Sequence, residues 1–475
     1  MEFQAMKENI LSQWHEFRIP GILTLALALI AIAGSMMSKF PVKFAVFAVI
    51  GALFIVLMLK FPETLLAMFI NAGQVKDDPL FRFPVDLTLT FGALTVFGIL
   101  WSIKKGRIKL TMPPLKMALP FLLICLIAVI SLMYTNNPEY GMNKFLRLAI
   151  LTNLAFFGSF YLLSDNARVR NFMIVYVLFA LVIAVSALTK KPANVIKSDL
   201  TSNYLTMGAI MAESFLMLFF YFFMTDNSNI RRAIYLLLIS PGVLYVLMIS
   251  GGRGPFIAII MTLVFVMAFV RHPKKQRNIK IWILIILAAA GMYLAYDYAT
   301  FTRMDRRMTS FDGDYDHSIM ERIYMIRSSL KAMGTMPYFF SGLGIGGFRD
   351  YFEGLDNKGN MYSYPHNILL EMGTELGIFG LISIILLLYW SFKKGYFLTK
   401  TTVGDDYYIV VTIFSLFLFT LLNALKSGDI NDHRLLFAFT AAIYSLDRKL
   451  NQTHNIAQYA DGRYTGDAHD HADIG

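Results

Sequence analysis

The sequence holds a single cysteine, Cys125, inside an apolar run. No disulfide can form within the chain, and no cysteine cluster can hold a metal. Charge is scarce as well: charged residues make up 16% of the 475 positions, against 56% hydrophobic residues, and the mean hydropathy is +0.55. Soluble domains carry about 25% charged residues, so a water-soluble fold is excluded. The alternating apolar and polar pattern of barrel strands is also missing. What remains is an all-α, polytopic membrane protein.

Basic residues exceed acidic ones, giving a net charge of +11. They fall in short clusters between apolar runs: Lys104, Lys105, Arg107 and Lys109; Arg271, Lys274, Lys275, Arg277 and Lys280; Lys393 and Lys394. Such clusters mark cytoplasmic loops by the positive-inside rule. The partner implied is the lipid bilayer, and nucleic acid is not expected.

A bilayer core of about 30 Å needs roughly 20 apolar residues per helix. Runs of that kind lie near 21–37, 43–59, 85–102, 116–133, 146–163, 172–188, 204–224, 233–250, 255–270, 280–297, 367–391, 407–425 and 434–446. The first follows Lys7 and Arg18 without a small-residue cleavage site and reads as an uncleaved span. With the basic clusters inside, the loops at 134–144, 190–203, 251–254, 298–366 and 426–433 lie outside. An internal N-terminus requires one more crossing, for which only Thr64 to Ala72 is available; a short or broken helix after Pro62 is expected there, for about 12 to 14 spans in all. The chain divides into N-terminal helices (1–297), a periplasmic loop domain (298–366), C-terminal helices (367–446) and a cytoplasmic tail (447–475).

Segment 298–366 carries eight basic and eight acidic residues. Within it Ile319, Ile323, Ile326, Leu330 and Met333 recur at helical spacing, the stripe of an amphipathic helix that Gly334 and Pro337 end. At 100° per residue Arg322 lies about 60° to one side of that stripe and Arg327 about 80° to the other. Arg322 can then reach the outer mouth of the membrane domain, although both arginines equally suit a plain surface helix.

Three residues map to the outer face from separate parts of the chain. Arg253, in Ser250-Gly251-Gly252-Arg253-Gly254-Pro255, sits in a near-loopless turn suited to an anion, or to a snorkelling arginine. Arg322 is the second. His366, in Tyr364-Pro365-His366-Asn367, stands at a membrane boundary behind a proline, where it suits a proton acceptor or an interfacial belt residue. Two guanidiniums bind phosphate oxygens bidentately and an imidazole accepts a proton at neutral pH. Together they suit displacement of a pyrophosphate by a hydroxyl, with neither metal nor cofactor expected. Asn367 is placed to cap the next helix. Glu371 is a candidate to orient the imidazole or an acceptor. Glu213, inside a span, is a functional or a hydrogen-bonded structural acid. Arg303, Arg306 and Arg307 add to an anion-attracting field or pair with Asp305 and Asp312.

These residues resemble the O-antigen ligase and polysaccharide polymerase superfamily of bacterial membrane glycosyltransferases. The similarity runs from Arg322 through Pro337, Gly342-Leu343-Gly344-Ile345-Gly346-Gly347-Phe348 and Pro365-His366-Asn367 with Leu370, to Glu375-Leu376-Gly377-Ile378-Phe379-Gly380. The Ser250–Pro255 turn is similar to the family's arginine motif with one glycine added, and Asn203 stands at a family position. The resemblance implies transfer of a glycan from undecaprenyl pyrophosphate to a sugar hydroxyl on lipid A core or on another lipid-linked repeat. It implies inversion at the anomeric carbon and a site outside the bacterial inner membrane. Arg253, Arg322, Arg327, Asn203, Asn367 and Glu371 would contact substrate, and His366 would be the general base. The competing expectation is a transporter or flippase of lipid-linked oligosaccharide, supported by the span count and Glu213; it calls for paired halves, and the sequence shows no internal repeat.

Overall fold

A computed structural model describes residues 60–73, 86–189, 204–224, 240–250, 253–270, 317–352 and 364–460. The expected spans at 21–37, 43–59 and 280–297, together with Asn203 and Arg303, Arg306 and Arg307, lie outside the described residues. Those described residues are helical. Among the described residues, six helices are long and apolar enough to cross a membrane, and two apolar helices are shorter.

The first described helix, α1 (Pro62–Ala72), opens on a proline whose missing N–H costs nothing at that position, and all eleven of its residues are buried. At 1.5 Å per residue it rises about 16 Å, half a bilayer core. The break expected at Pro62 is therefore present, and this short helix lies inside the bundle. Helix α2 (Leu87–Lys104) packs along it, capped by Asp86, whose carboxylate accepts from the Thr88 amide at 2.8 Å and the Leu89 amide at 3.2 Å. Small residues allow the approach: a Cβ on Gly92 would meet the Phe69 ring at 3.3 Å, and one on Gly98 would meet Pro62 at 3.0 Å.

Helices α3 (Leu115–Ser131), α4 (Pro138–Leu162), α5 (Asn166–Thr189) and α6 (Tyr204–Met217) follow. The expected span at 146–163 begins eight residues earlier because Asn137 caps it and Pro138 fills the first turn. A π-helical turn interrupts α4 at Arg147–Thr152, and another extends α6 at Leu218–Phe223. Helices α7 (Ser240–Ile249) and α8 (Arg253–Phe269) complete the first half.

Helix α9 (His317–Met333) is the amphipathic helix, but it buries another face than expected. Met325, Ser329 and Ala332 are buried, whereas Ile326 and Leu330 of the predicted stripe are 42% and 54% exposed. In a membrane protein apolar side chains also face lipid, so hydrophobic spacing alone does not mark the packed side. The buried face is rotated by about 110°, which leaves Arg322 about 50° from it and puts Arg327 on the far side. Two single turns, α10 (Tyr338–Ser341) and α11 (Phe348–Tyr351), flank the glycine loop 342–347.

Helix α12 (Ile368–Thr401) is kinked at Gly377, whose φ is 68°. A Cβ there would lie 2.1 Å from the Phe340 carbonyl oxygen, and one on Gly342 would lie 2.3 Å from the Glu375 carbonyl oxygen. The loop and the kink therefore meet backbone to backbone. Helix α13 (Asp405–Ala424) follows, and α14 (Arg434–Ala460) carries the last expected span on through the first part of the predicted tail.

The helix ends sort into two groups. At one end Arg168 donates to the Arg107 carbonyl, Arg448 to Thr111, and Lys449 to Asp406 at 2.7 Å. The clusters at 104–109 and 393–394 fall on this basic end. At the other end the loops at 132–137, 341–347, 364–367 and 425–433 come together with the start of α8: Tyr134 donates to the Ser341 carbonyl, Thr135 to Ile345 and Asn367 to Leu425. The predicted basic cluster at 271–280 and the predicted outer loop at 190–203 lie outside the described residues.

Candidate functional site

The gathered loops enclose a cavity of about 350 Å³ whose walls include Arg322, His366, Gly254 and Pro255. Arg253 begins helix α8 immediately beside the last two. Arg322, His366 and the residues that follow Arg253, far apart in sequence, thus border one cavity. Arg322 is exposed on its helix and points into this space, whereas Arg327 is exposed on the opposite side of α9 and does not line it.

Local backbone geometry fixes His366. Its φ of 57° makes it the single non-glycine residue with positive φ among the described residues. Such conformations carry strain and persist where the surroundings enforce them, commonly at functional sites. The enforcing elements are Pro365 on one side and the capped start of α12 on the other. Asn367 accepts from the Leu369 and Leu370 amides at 3.0 and 3.1 Å, which is the predicted cap, while its Nδ2 donates to the Leu425 carbonyl at 2.7 Å. Asn367 thereby ties the start of α12 to Leu425 and anchors the backbone next to the histidine. The Tyr364 ring packs edge-on against the imidazole with centroids 4.6 Å apart. Burial pushes the Tyr364 hydroxyl far above its ordinary pKa, so it remains a neutral phenol.

Glu371 belongs to a buried ionic cluster. It is fully buried behind the cavity, where its Oε1 lies 2.6 Å from Lys144 Nζ and accepts from the Ile430 amide at 3.3 Å. Lys144 donates as well to both oxygens of Glu375 at 2.8 Å, and Glu375 Oε2 accepts from the Gly346 amide at 2.9 Å. One ammonium thereby joins α4, α12 and the glycine loop. An isolated charge at this depth would cost several kcal/mol, so the cluster persists because its members answer one another. The Glu375-Leu376-Gly377 and glycine-rich motifs are two halves of this clasp.

The loop between α13 and α14 was read simply as an outer connection, yet it supplies much of the cavity wall. Asp429 Oδ1 accepts from the Asn431 and Asp432 amides at 2.8 and 3.0 Å, closing a tight turn. Asn431 then donates to the Lys144 carbonyl at 3.1 Å. Facing the cavity are Lys426, Asp432, His433 and Arg434. Burial lowers the His433 pKa to about 4, so the ring is neutral, and its Nε2 has no hydrogen-bond partner among the described residues. Burial and the neighbouring Asp429 carboxylate raise Asp432 to about 7. The signal that could have found this wall is its composition: Lys426-Ser427-Gly428-Asp429-Ile430-Asn431-Asp432-His433-Arg434 is strongly polar for a turn between two apolar spans on the histidine's side.

Glu213 borders the cavity from α6 and accepts a hydrogen bond from the Tyr176 hydroxyl. The wall chemistry is therefore cationic around Arg322 and Lys426, with an imidazole held close by.

No curated protein matches the sequence. Residues 235–385, which span Arg253, Arg322, the glycine loop and His366, match the family model described as O-antigen ligase, and over this segment the chain is similar to that family.

Proposed function

We propose that the protein is an inverting glycosyltransferase that moves a glycan en bloc from undecaprenyl pyrophosphate to a sugar hydroxyl. The observation that carries this reading is the presence of Arg322, His366 and the first turn of α8 around one cavity, at the end opposite the basic loops. By the positive-inside rule that end is the outer one, which puts the reaction on the periplasmic side of the inner membrane.

In this reading Arg322 and Arg253 hold the diphosphate. The acceptor oxygen attacks the anomeric carbon from the face opposite the phosphate, and its proton passes to His366. The bond between anomeric carbon and phosphate oxygen breaks as the new one forms. The pyrophosphate leaves with the electron pair, its developing charge met by the guanidiniums. Preorganised cations do this well because they are already in place when charge appears. Arg322→Lys is damaging in this scheme since a point charge cannot reproduce the two-pronged contact.

The test is incubation of the purified protein with an undecaprenyl-pyrophosphate oligosaccharide, first alone and then with a lipid A core acceptor. A ladder in the first tube identifies a polymerase, and product confined to the second identifies a ligase. His366→Ala is expected to insert normally and to form no product. Substantial transfer by that variant removes the base assignment, and movement of donor across proteoliposomes without a new glycosidic bond replaces the enzyme reading with a transporter.

A further inference from the structure

We propose that Lys426 is a third cation of the anion site, its ammonium contacting the diphosphate of the donor alongside Arg322. This rests on the proposed function for the identity of the anion.

The first observation is an unanswered charge. Lys426 Nζ is buried and has no hydrogen-bond partner among the described residues. Buried ammonium groups are ordinarily matched by a carboxylate, as Lys144 is by Glu371 and Glu375 in the same molecule. The second observation is position. Lys426 lines the cavity with Arg322 and His366, and a Cβ added to Gly254 would lie 3.1 Å from its Nζ. The ammonium is therefore seated against the first turn of α8, one residue from Arg253. Glycine at 254 leaves the room that an alanine would fill, which gives the motif's second flank a function. The third observation is electrostatic: burial and the nearby Arg322 charge lower the pKa of Lys426 to about 7. Two cations facing one cavity oppose each other until an anion lies between them. A diphosphate bearing two negative charges relieves both the repulsion and the missing hydrogen bonds.

The position is also fixed. Its amide donates to the Asn423 carbonyl at 3.1 Å, and the preceding residue, Leu425, receives the Asn367 side chain. The same asparagine thus positions the imidazole on one wall and the ammonium on the other.

The experiment compares thermal unfolding of the wild type, Lys426→Met and Lys426→Arg in detergent. Each is measured without lipid, with undecaprenol, and with undecaprenyl-pyrophosphate oligosaccharide. Without lipid, Lys426→Met is expected to unfold at a higher temperature than the wild type, because an unmatched buried charge is gone. The diphosphate lipid is expected to stabilise the wild type and Lys426→Arg. It should bind Lys426→Met at least ~10-fold more weakly, the loss of one charge-assisted contact. Undecaprenol should not separate the three. Equal affinity of wild type and Lys426→Met for the diphosphate lipid overturns the proposal, as does a lower unfolding temperature of lipid-free Lys426→Met. Failure of the wild type to distinguish the diphosphate lipid from undecaprenol overturns instead the diphosphate reading of the site.

Discussion

Replacing Lys144 by methionine tests the clasp behind the cavity. Methionine keeps the length and the apolar stem but removes the charge, leaving Glu371 and Glu375 facing each other with exposures of 0% and 1%. Removing one partner from a buried ion pair costs about 3–5 kcal/mol. Here one ammonium serves two carboxylates at 2.6 and 2.8 Å, so the upper part of that range, about 5 kcal/mol, is expected. The measurement is equilibrium unfolding of the detergent-solubilised protein by a denaturing surfactant. The triple variant Lys144→Met, Glu371→Gln, Glu375→Gln removes every charge of the cluster and should recover most of the loss, since neutral replacement of a whole buried ionic group is close to neutral in stability. Transfer activity should follow the same order, because Gly346 loses its carboxylate partner in the single variant and its loop loosens. A loss below about 1 kcal/mol for Lys144→Met, the scale of an exposed ion pair, refutes the argument.

Arg322→Lys is expected to lower kcat/KM for transfer by ~100-fold while Arg327→Lys leaves it unchanged, measured with the same lipid-linked donor; equal losses would remove the assignment of the two faces of α9. Gly377→Ala is expected to abolish stable expression, because its Cβ would fall 2.1 Å from the Phe340 carbonyl oxygen; a normal yield of monodisperse protein would contradict the close approach. Asp432→Asn tests a pH dependence. The native-state pKa of Asp432 is about 7, above its unfolded value near 4, so the folded state holds the extra proton between those limits and stability falls as pH rises through them. The variant should therefore gain stability over the wild type at pH 8 and lose that advantage near pH 4; a difference that does not change with pH refutes it.

The order of the helices was legible because apolar runs of bilayer length and basic clusters are written directly in the composition. Pro62 announced the short helix, and Asn367 announced a cap, for the same reason: both signals are local. The packed face of α9 was not legible. Ile326 and Leu330 satisfy an amphipathic pattern, yet in this setting apolar residues serve lipid as well as core, while the buried Met325, Ser329 and Ala332 include a hydroxyl and a methyl that no hydropathy pattern selects. The Lys144 clasp was invisible in principle, since its lysine and its second glutamate are separated by 231 positions. Glu371 was noticed for its nearness to His366 in sequence, and its pairing with Lys144 was not. The glycine motifs were readable as a pattern and not as a joint, because a joint is a relation between Gly342 and Gly377 that neither reveals alone. The wall at Lys426 and His433 was missed for a different reason: short polar turns are the commonest furniture of membrane proteins, and only the face they share with His366 sets this one apart.

Asn367 donates to Leu425 while the Ile430 amide leans on Glu371. These two bonds make the histidine's helix and the α13–α14 turn a single rigid jaw. The opposing jaw is α9, joined to the bundle mainly through α12 and presenting Arg322 from an exposed helix. Evolution of a different acceptor is then expected to rewrite α9 and its flanks first, since those residues can change without disturbing the aim of the imidazole.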